Sequence, residues 1–365
     1  MALIIDAHED LAWNMATFQR DYSLSAFETR ALEINSIAPI VNGDTMLGWR
    51  EYQRGTVALV FSTLFASPFK KNQSAWITQS YRDSREAKTI YQLQLDLYHK
   101  LEDNHPDKFR LVKEKAHLHQ ITQYWQKKAT EPNKNNDHPV GLVILMEGAE
   151  CIEKLEDIFM WWEQGVRIIG PAWHGNKYCG GTNEPGPLTS KGRHLLSLMS
   201  DVGFVLDISH MDELSAKEAL DFYPGQVIAS HANANSLIKD YEGNRHLSDD
   251  LIRQLISRSG IMGIVPLNDF LDRGWKSRGG RESISLKMVA EQIDHVCQLA
   301  GNSDHVGIGT DFDGGFGLQS TPIELDSIAD LQKMTYFLQE LHYTDNDIAS
   351  IMGKNWLRML EYNLP

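Results

Sequence analysis

Apolar residues in this chain fall into short runs, and most runs stop at a polar or ionisable residue. They are "LIID" at 3–6, "TVALVFSTLF" at 56–65, "VGLVILMEG" at 140–148 and "VRIIGPAWHG" at 166–175. Then come "GFVLDISH" at 203–210, "QVIASH" at 226–231, "GIMGIVPL" at 260–267 and "HVGIGTDFDG" at 305–314. Val and Ile are frequent and strict alternation is missing. That predicts strands of a parallel sheet covered on both faces. Helical patterns lie between the runs. "GPLTSKGRHLLSLMSDVG" predicts a helix with Thr189 or Ser190 as N-cap and Leu195, Leu196 and Met199 as its apolar stripe. "LSDDLIRQLISRSG" predicts a helix capped by Ser248 and ending at Gly260. Asp249 and Asp250 sit in its first turn, where the helix dipole favours anions. "SLKMVAEQIDHVCQLAG" and "DSIADLQKMTYFLQEL" read the same way, and residues 79–129 read as a charged, helix-rich insertion.

Eight strands alternating with helices predict an α/β fold, a (β/α)8 TIM barrel. No linker rich in Pro, Gly or Ser divides the 365 residues, and no repeat recurs at a fixed period. One domain over residues 1–365 is therefore expected.

Composition narrows the partners. The chain is 42% apolar and 23% charged, ordinary for a globular protein. A formal net charge of -14 makes nucleic acid and anionic membranes poor partners. No apolar stretch reaches the ~20 residues of a membrane helix. Asp6, Glu9 and Asp10 interrupt the N-terminal run before a signal core forms. Cys151, Cys179 and Cys297 form no CxxC pair, which argues against a disulfide framework or a thiolate zinc site. A cytoplasmic protein with reduced thiols is expected.

Barrel active sites lie at the C-terminal ends of the strands, which gives the ionisable residues there a meaning. His8 and Asp10 close the first run, Glu147 the third, His210 the fifth, His231 the sixth and Asp311 the eighth. In extended chain, residues i and i+2 point the same way, so His8 and Asp10 can reach one ion together. Imidazole and carboxylate suit zinc and its neighbours. Glu147 can bridge two ions through its two oxygens, with His210 and His231 completing the second site. Two such ions can hold a hydroxide and polarise a carbonyl. Each signal alone has a plainer explanation: a solvated His-Asp pair, a satisfied Ser-His, or a turn at "DFDGG". A calcium loop is excluded, because Pro322 stands where its bidentate Glu belongs. Recurrence at five strand ends favours a metal site.

In this order the motifs resemble the membrane (renal) dipeptidases and their bacterial relatives, a family of binuclear zinc peptidases. "DAHEDL" is similar to the family's D-x-H-x-D-L, "MEGAE" to its run ending in Glu-Gly, and "DVGFVLDISH" to its L-G-x-x-x-D-x-S-H. "ASHANA", "HVGIGTDFDG" and "GKNWLRML" resemble its S-H-S-x-A, H-x-x-I-G-x-D-x-D-G and closing G-x-N-x-x-R. The resemblance implies a barrel of the metal-dependent amidohydrolase type and two zinc ions per chain. His8 and Asp10 would bind one, His210 and His231 the other, with Glu147 and a water or hydroxide bridging. Asp311 would be the catalytic residue that handles protons.

Arg245, in "NRHLSDD", occupies the place of an arginine that receives the substrate's free carboxylate, although His246 follows it where the family has Asn. A planar guanidinium suits that bidentate grip. His174, in "GPAWHGNKYCGG", is the histidine near the place where the family's Leu-Thr-His polarises the scissile carbonyl. The Gly-rich run to Gly181 and Thr182 either shapes the pocket or is a turn. The implied substrate is a dipeptide, often with a D-residue at the C-terminal position, and the implied assembly is a homodimer. The alternatives are another binuclear amidohydrolase acting on a lactone, lactam or N-acyl amino acid, or a barrel that binds without catalysis. The second is disfavoured because all six metal-site residues are present. Trp275, Arg278 and Arg281, in the loop at 268–284, are expected at the surface.

Overall fold

The computed structural model describes residues 1–130 and 137–365, the side chains of 127–130 excepted. Eight parallel strands form its inner ring: β1 (Ile4–Glu9), β2 (Val57–Phe65), β3 (Val140–Glu147), β4 (Val166–Gly170), β5 (Val205–Asp207), β6 (Val227–Ile228), β7 (Met262–Ile264) and β8 (Val306–Ile308). Their order is β6-β5-β4-β3-β2-β1-β8-β7. A parallel bridge between Ala229 and Met262 joins the two ends and nearly closes the ring into a TIM barrel. Every residue of β1 and β3 is buried, as strands of a parallel sheet covered on both faces require, and in β1 this includes Asp6, His8 and Glu9.

The later strands are shorter than their apolar runs: β5, β7 and β8 have three residues each and β6 has two. Beyond them, side-chain carboxylates replace the neighbouring strand's carbonyls as acceptors. Asp207 Oδ1 accepts the Ser230 N–H at 2.9 Å, and Asp6 Oδ1 accepts the Thr310 N–H at 2.7 Å. The chain can thus leave the ladder without orphaning its amides. Where β6, β7 and β8 converge, a Cβ on Gly263 or Gly309 would lie 1.9 Å from the Ser230 carbonyl oxygen. Glycine is what lets the three strands approach there.

Helix Ser190–Val202 starts at Thr189, whose hydroxyl accepts the Gly192 N–H at 3.0 Å. Ser248 caps helix Asp249–Ser257 in the same way, and that helix stops before Gly260. The run at 326–341 divides into a 3-10 segment, Ile328–Lys333, and helix Met334–Glu340. Within 79–129 lie helix Ser84–Asn104, strand Phe109–Leu111 and the start of helix Lys115–Thr130. Tyr98 and Tyr91 of the first helix donate to the carbonyls of Thr63 at 2.8 Å and Glu147 at 2.5 Å, tying the helix to the ends of β2 and β3. At the chain's end, Asn355 donates to the carbonyls of Ser303 and Val306, and Trp356 to that of Ile308, which pins β8. The three cysteines are buried free thiols. No helix among the described residues is long and apolar enough to cross a membrane.

Candidate metal centre and substrate cavity

The C-terminal rim of the barrel gathers six ionisable side chains. His8 lies within β1, Asp10 just beyond it, and Glu147 ends β3. His210, His231 and Asp311 follow the ends of β5, β6 and β8 at the same offset of three residues. Glu147 Oε1 is the common point: it lies 3.0 Å from His210 Nε2, 3.3 Å from His231 Nε2 and 3.6 Å from His8 Nε2. His210 Nε2 and His231 Nε2 are 3.0 Å apart, and Asp311 Oδ1 is 4.0 Å from His8 Nε2. Three overlapping sets result: His8–Asp10–Glu147, Glu147–His210–His231 and His8–His231–Asp311, each with donor atoms within 4.8 Å of one another.

Asp311 reaches the rim through a left-handed backbone, φ +57°, and Asp313 repeats it at +63°. Asp tolerates this conformation better than most residues, but it still needs support. Asp313 supplies the support: its carboxylate accepts from Tyr22 OH at 2.9 Å and from the Met46 N–H at 3.0 Å, and pairs with Arg20 at 3.0 Å. The Asp311 N–H donates to the His8 carbonyl at 3.1 Å, which joins the turn to β1.

Burial governs the charges. It holds His8, His210 and His231 well below the usual imidazole range, so they are neutral and each keeps a lone pair. Burial, then the charges of Asp10 and Asp311, push Glu147 well above the carboxylate range. Burial and Asp10 do the same to Asp311, and burial lifts Asp10 to about 6. The cluster is short of positive charge. His8 Nε2, though fully buried, has no hydrogen-bond partner among the described residues. Neutral imidazoles, crowded carboxyls and an orphaned nitrogen together fit divalent cations, which supply charge and accept lone pairs.

A cavity of about 390 Å³ opens over the cluster. Asp10, Glu147, His210 and Asp311 border it, and Trp13, Phe65, Trp173, Leu267 and Phe270 supply apolar walls. Arg245 also borders it. Its buried guanidinium donates to the carbonyls of Ser209 and His231, both at 2.9 Å, and lies 5.3 Å from the centre of the Phe270 ring. No carboxylate among the described residues forms an ion pair with it within 4.0 Å. His174 borders the cavity as well. Its Nδ1 lies 2.6 Å from the Thr182 carbonyl, which can only accept, so Nδ1 carries a hydrogen.

His246, next to Arg245, packs between Tyr241 and Phe270, with ring centres 4.5 Å away on each side, and does not border the cavity. The loop at 268–284 corrects one expectation. Trp275 is buried, because its indole N–H has a partner in Asp269 at 2.9 Å. Arg281 donates to the carbonyls of Thr321 and Pro322, and Arg278 pairs with Asp272; none of the three borders the cavity.

Sequence reasoning passed over Asp207, Ser230 and Asp313 and left Thr182 as part of a pocket wall or a turn; Ser230 and Thr182 meet the rim imidazoles of His231 and His210, Asp207 anchors Ser230, and Asp313 anchors the turn that carries Asp311. A signal was present: serine precedes histidine in both "DISH" and "ASH", and aspartate stands at the end of β5.

The family model described as membrane dipeptidase (peptidase family M19) matches residues 1–363. Among solved structures, the chain is similar to the dipeptidase AC, a metallopeptidase of family M19. It is 19% identical, covers 100% of this chain and 99% of that one, and has a TM-score of 0.76. A metallopeptidase from Rhodobacter sphaeroides, liganded with a phosphinate mimic of the dipeptide L-Ala-D-Ala, is 18% identical over 99% of both chains with a TM-score of 0.75. At such identities the likeness shows the fold. A Klebsiella pneumoniae protein from the pqqA 5' region is 29% identical over 236 residues, 62% of this chain and 83% of its own. The matched stretches span about half the length of several other curated relatives. With the family model spanning nearly its whole length, the chain belongs to the membrane dipeptidase family, peptidase family M19, a family of peptide-bond hydrolases.

Proposed function

We propose that this protein is a metal-dependent dipeptidase working with two zinc ions. The observation that carries the reading is the common position of Glu147 Oε1, within 3.0–3.6 Å of three imidazole nitrogens from three strands. On this reading His8 and Asp10 would hold one ion and His210 and His231 the other, with Glu147 contributing to both sites. When bound, such a pair lowers the pKa of a coordinated water and polarises the carbonyl under attack.

The remaining work falls to the chain. Arg245, which has no ion pair among the described residues, receives the dipeptide's terminal carboxylate. This sets the register of the substrate, so that the carbonyl one residue away faces the rim; such orientation can supply several kcal/mol of the barrier reduction. The volume of about 390 Å³ is near the small end of ligand cavities and suits two residues better than a longer peptide. The aromatic walls receive the side chains. Asp311, beside His8 and open to the cavity, takes a proton from the attacking water and returns it to the leaving amine. His174, held through Nδ1 by the Thr182 carbonyl at the edge of the cavity, polarises the carbonyl under attack. The ligand of the Rhodobacter enzyme mimics L-Ala-D-Ala. We extend a D-residue at the C-terminal position to this chain as part of the proposal. A lactone or lactam offers Arg245 no free carboxylate, which favours the dipeptide.

The test is metal analysis of the purified protein, followed by a library of L,L and L,D dipeptides screened beside N-acyl amino acids and lactones. The expected result is about two zinc ions per chain and hydrolysis confined to dipeptides. Less than one ion after reconstitution, or turnover of the other classes alone, would overturn the reading.

A further inference from the structure

The three rim histidines all turn Nε2 toward Glu147, and their other nitrogens meet hydroxyl groups rather than carboxylates. His8 Nδ1 lies 3.3 Å, and His231 Nδ1 2.9 Å, from one atom, Ser230 Oγ. His210 Nδ1 lies 2.9 Å from Thr182 Oγ1. A serine hydroxyl has one hydrogen and two lone pairs. The hydrogen of Ser230 has a dominant claimant in Asp207 Oδ2, 2.5 Å away. The other oxygen, Asp207 Oδ1, accepts the Ser209 hydroxyl at 2.6 Å and the N–H groups of Ser230 at 2.9 Å and Ser209 at 3.1 Å. Three donors on Oδ1 favour the ionised carboxylate, and an ionised Oδ2 can only accept, so it takes the Ser230 hydrogen. With its hydrogen committed, Ser230 Oγ can only accept from the two imidazoles. Both must therefore carry hydrogen on Nδ1.

We infer that Asp207 and Ser230 are a positioning pair that fixes the Nδ1–H tautomer of His8 and His231 together, and so presents an Nε2 lone pair to each of the two metal positions from a single hydroxyl. The inference rests on the two-ion reading above. His8 belongs to one donor set and His231 to the other, so one hydrogen-bond decision prepares both. Thr182 does the same for His210 alone: its hydrogen turns to the His210 carbonyl at 3.4 Å, leaving its oxygen to accept from Nδ1. Partners of this kind orient metal-binding imidazoles and typically change metal affinity by 10–100-fold.

The hydrogen directions give a specific order of damage. Ser230→Ala removes the shared acceptor and frees both tautomers. Asp207→Asn keeps the shape but reverses one hydrogen. The amide oxygen must stay on the backbone N–H groups, so the amide nitrogen faces Ser230 Oγ and donates to it. The freed serine hydrogen then turns to His231 Nδ1 and drives that ring to the Nε2–H tautomer, which cannot bind a metal through Nε2. A purely space-filling role for Asp207 would make the isosteric asparagine the milder change.

The experiment is 15N NMR of ring-labelled histidines in the metal-free, full-length protein, with zinc titration calorimetry on the same samples. In the wild type, His8, His210 and His231 are expected neutral with hydrogen on Nδ1. Asp207→Asn should move His231 to the Nε2–H pattern. Ser230→Ala should weaken both zinc ions by about 10–100-fold, and Thr182→Val only one. Hydrogen on Nε2 of His8 or His231 in the wild type overturns the inference, and so do unchanged tautomers and affinities in folded Ser230→Ala and Asp207→Asn. The wild-type spectrum decides the matter if a variant fails to fold. Nδ1–H tautomers in a wild type that takes up no zinc would support this inference and overturn the two-ion reading instead.

Discussion

Arg245→Lys tests the proposal that one guanidinium both holds two carbonyls and receives the substrate carboxylate. Arginine has five N–H donors, and Arg245 spends two on the carbonyls of Ser209 and His231. Three remain, enough for both oxygens of a substrate carboxylate. A lysine ammonium has three donors on one point and cannot serve two carbonyls and both oxygens. It keeps the charge and loses about one bond to the carboxylate. A hydrogen bond to a charged group is worth about 1.5–3 kcal/mol, so kcat/KM for a dipeptide should fall by about 10–100-fold. Arg245→Ala loses both bonds and should cost about 10²–10⁴-fold. The assay pairs each dipeptide with its C-terminal amide, which lacks the carboxylate. Wild type should prefer the acid strongly, and the preference should shrink in Arg245→Lys and vanish in Arg245→Ala. Equal losses for acid and amide would refute the carboxylate role. Arg245 would then act only through the Ser209 and His231 carbonyls, on the histidines beside them, and zinc content in the same samples would fall.

Asp311→Asn keeps a residue that tolerates the left-handed backbone, so kcat should fall by about 10²–10⁴-fold with zinc content unchanged by mass spectrometry; full activity would remove Asp311 as proton carrier. Burial lifts Glu150 from an ordinary 4.5 to about 7. The folded state thus binds this proton more tightly than the unfolded state. The resulting stability is complete below about pH 4.5 and is lost as pH rises through about 7. Glu150→Gln, which keeps an acceptor for Asn176, should flatten this slope and be more stable at pH 8 by on the order of 2–3 kcal/mol in urea titrations; parallel pH slopes would contradict the assignment. Tyr91→Phe removes the donor to the Glu147 carbonyl and should cost about 1 kcal/mol of stability; an unchanged urea midpoint would show that this bond does not hold the end of β3.

The barrel and the gathering of His8, Asp10, Glu147, His210, His231 and Asp311 at its rim were legible because each side chain lies at a short, fixed offset from an apolar run. Backbone geometry carries such offsets directly: a parallel strand ends at the rim, and whatever follows it is delivered there. Trp275 was misplaced because indole burial depends on a partner, and Asp269 becomes one only after the loop folds. Strand lengths were overstated for a related reason. Apolar runs mark burial, while the ladder ends where carboxylates such as Asp207 take over the amides.

Sequence by itself determined the fold class and the order of ionisable residues around the ring, since both follow from local periodicity. Only the tertiary structure decided what those residues meet. Arg245 turns back onto the carbonyls of Ser209 and His231, and Ser230 faces two imidazoles from β1 and the end of β6. Hydrogen-bond direction and desolvation depend on atoms far apart in the chain, and closing the barrel is what brings them within 3 Å or so of one another.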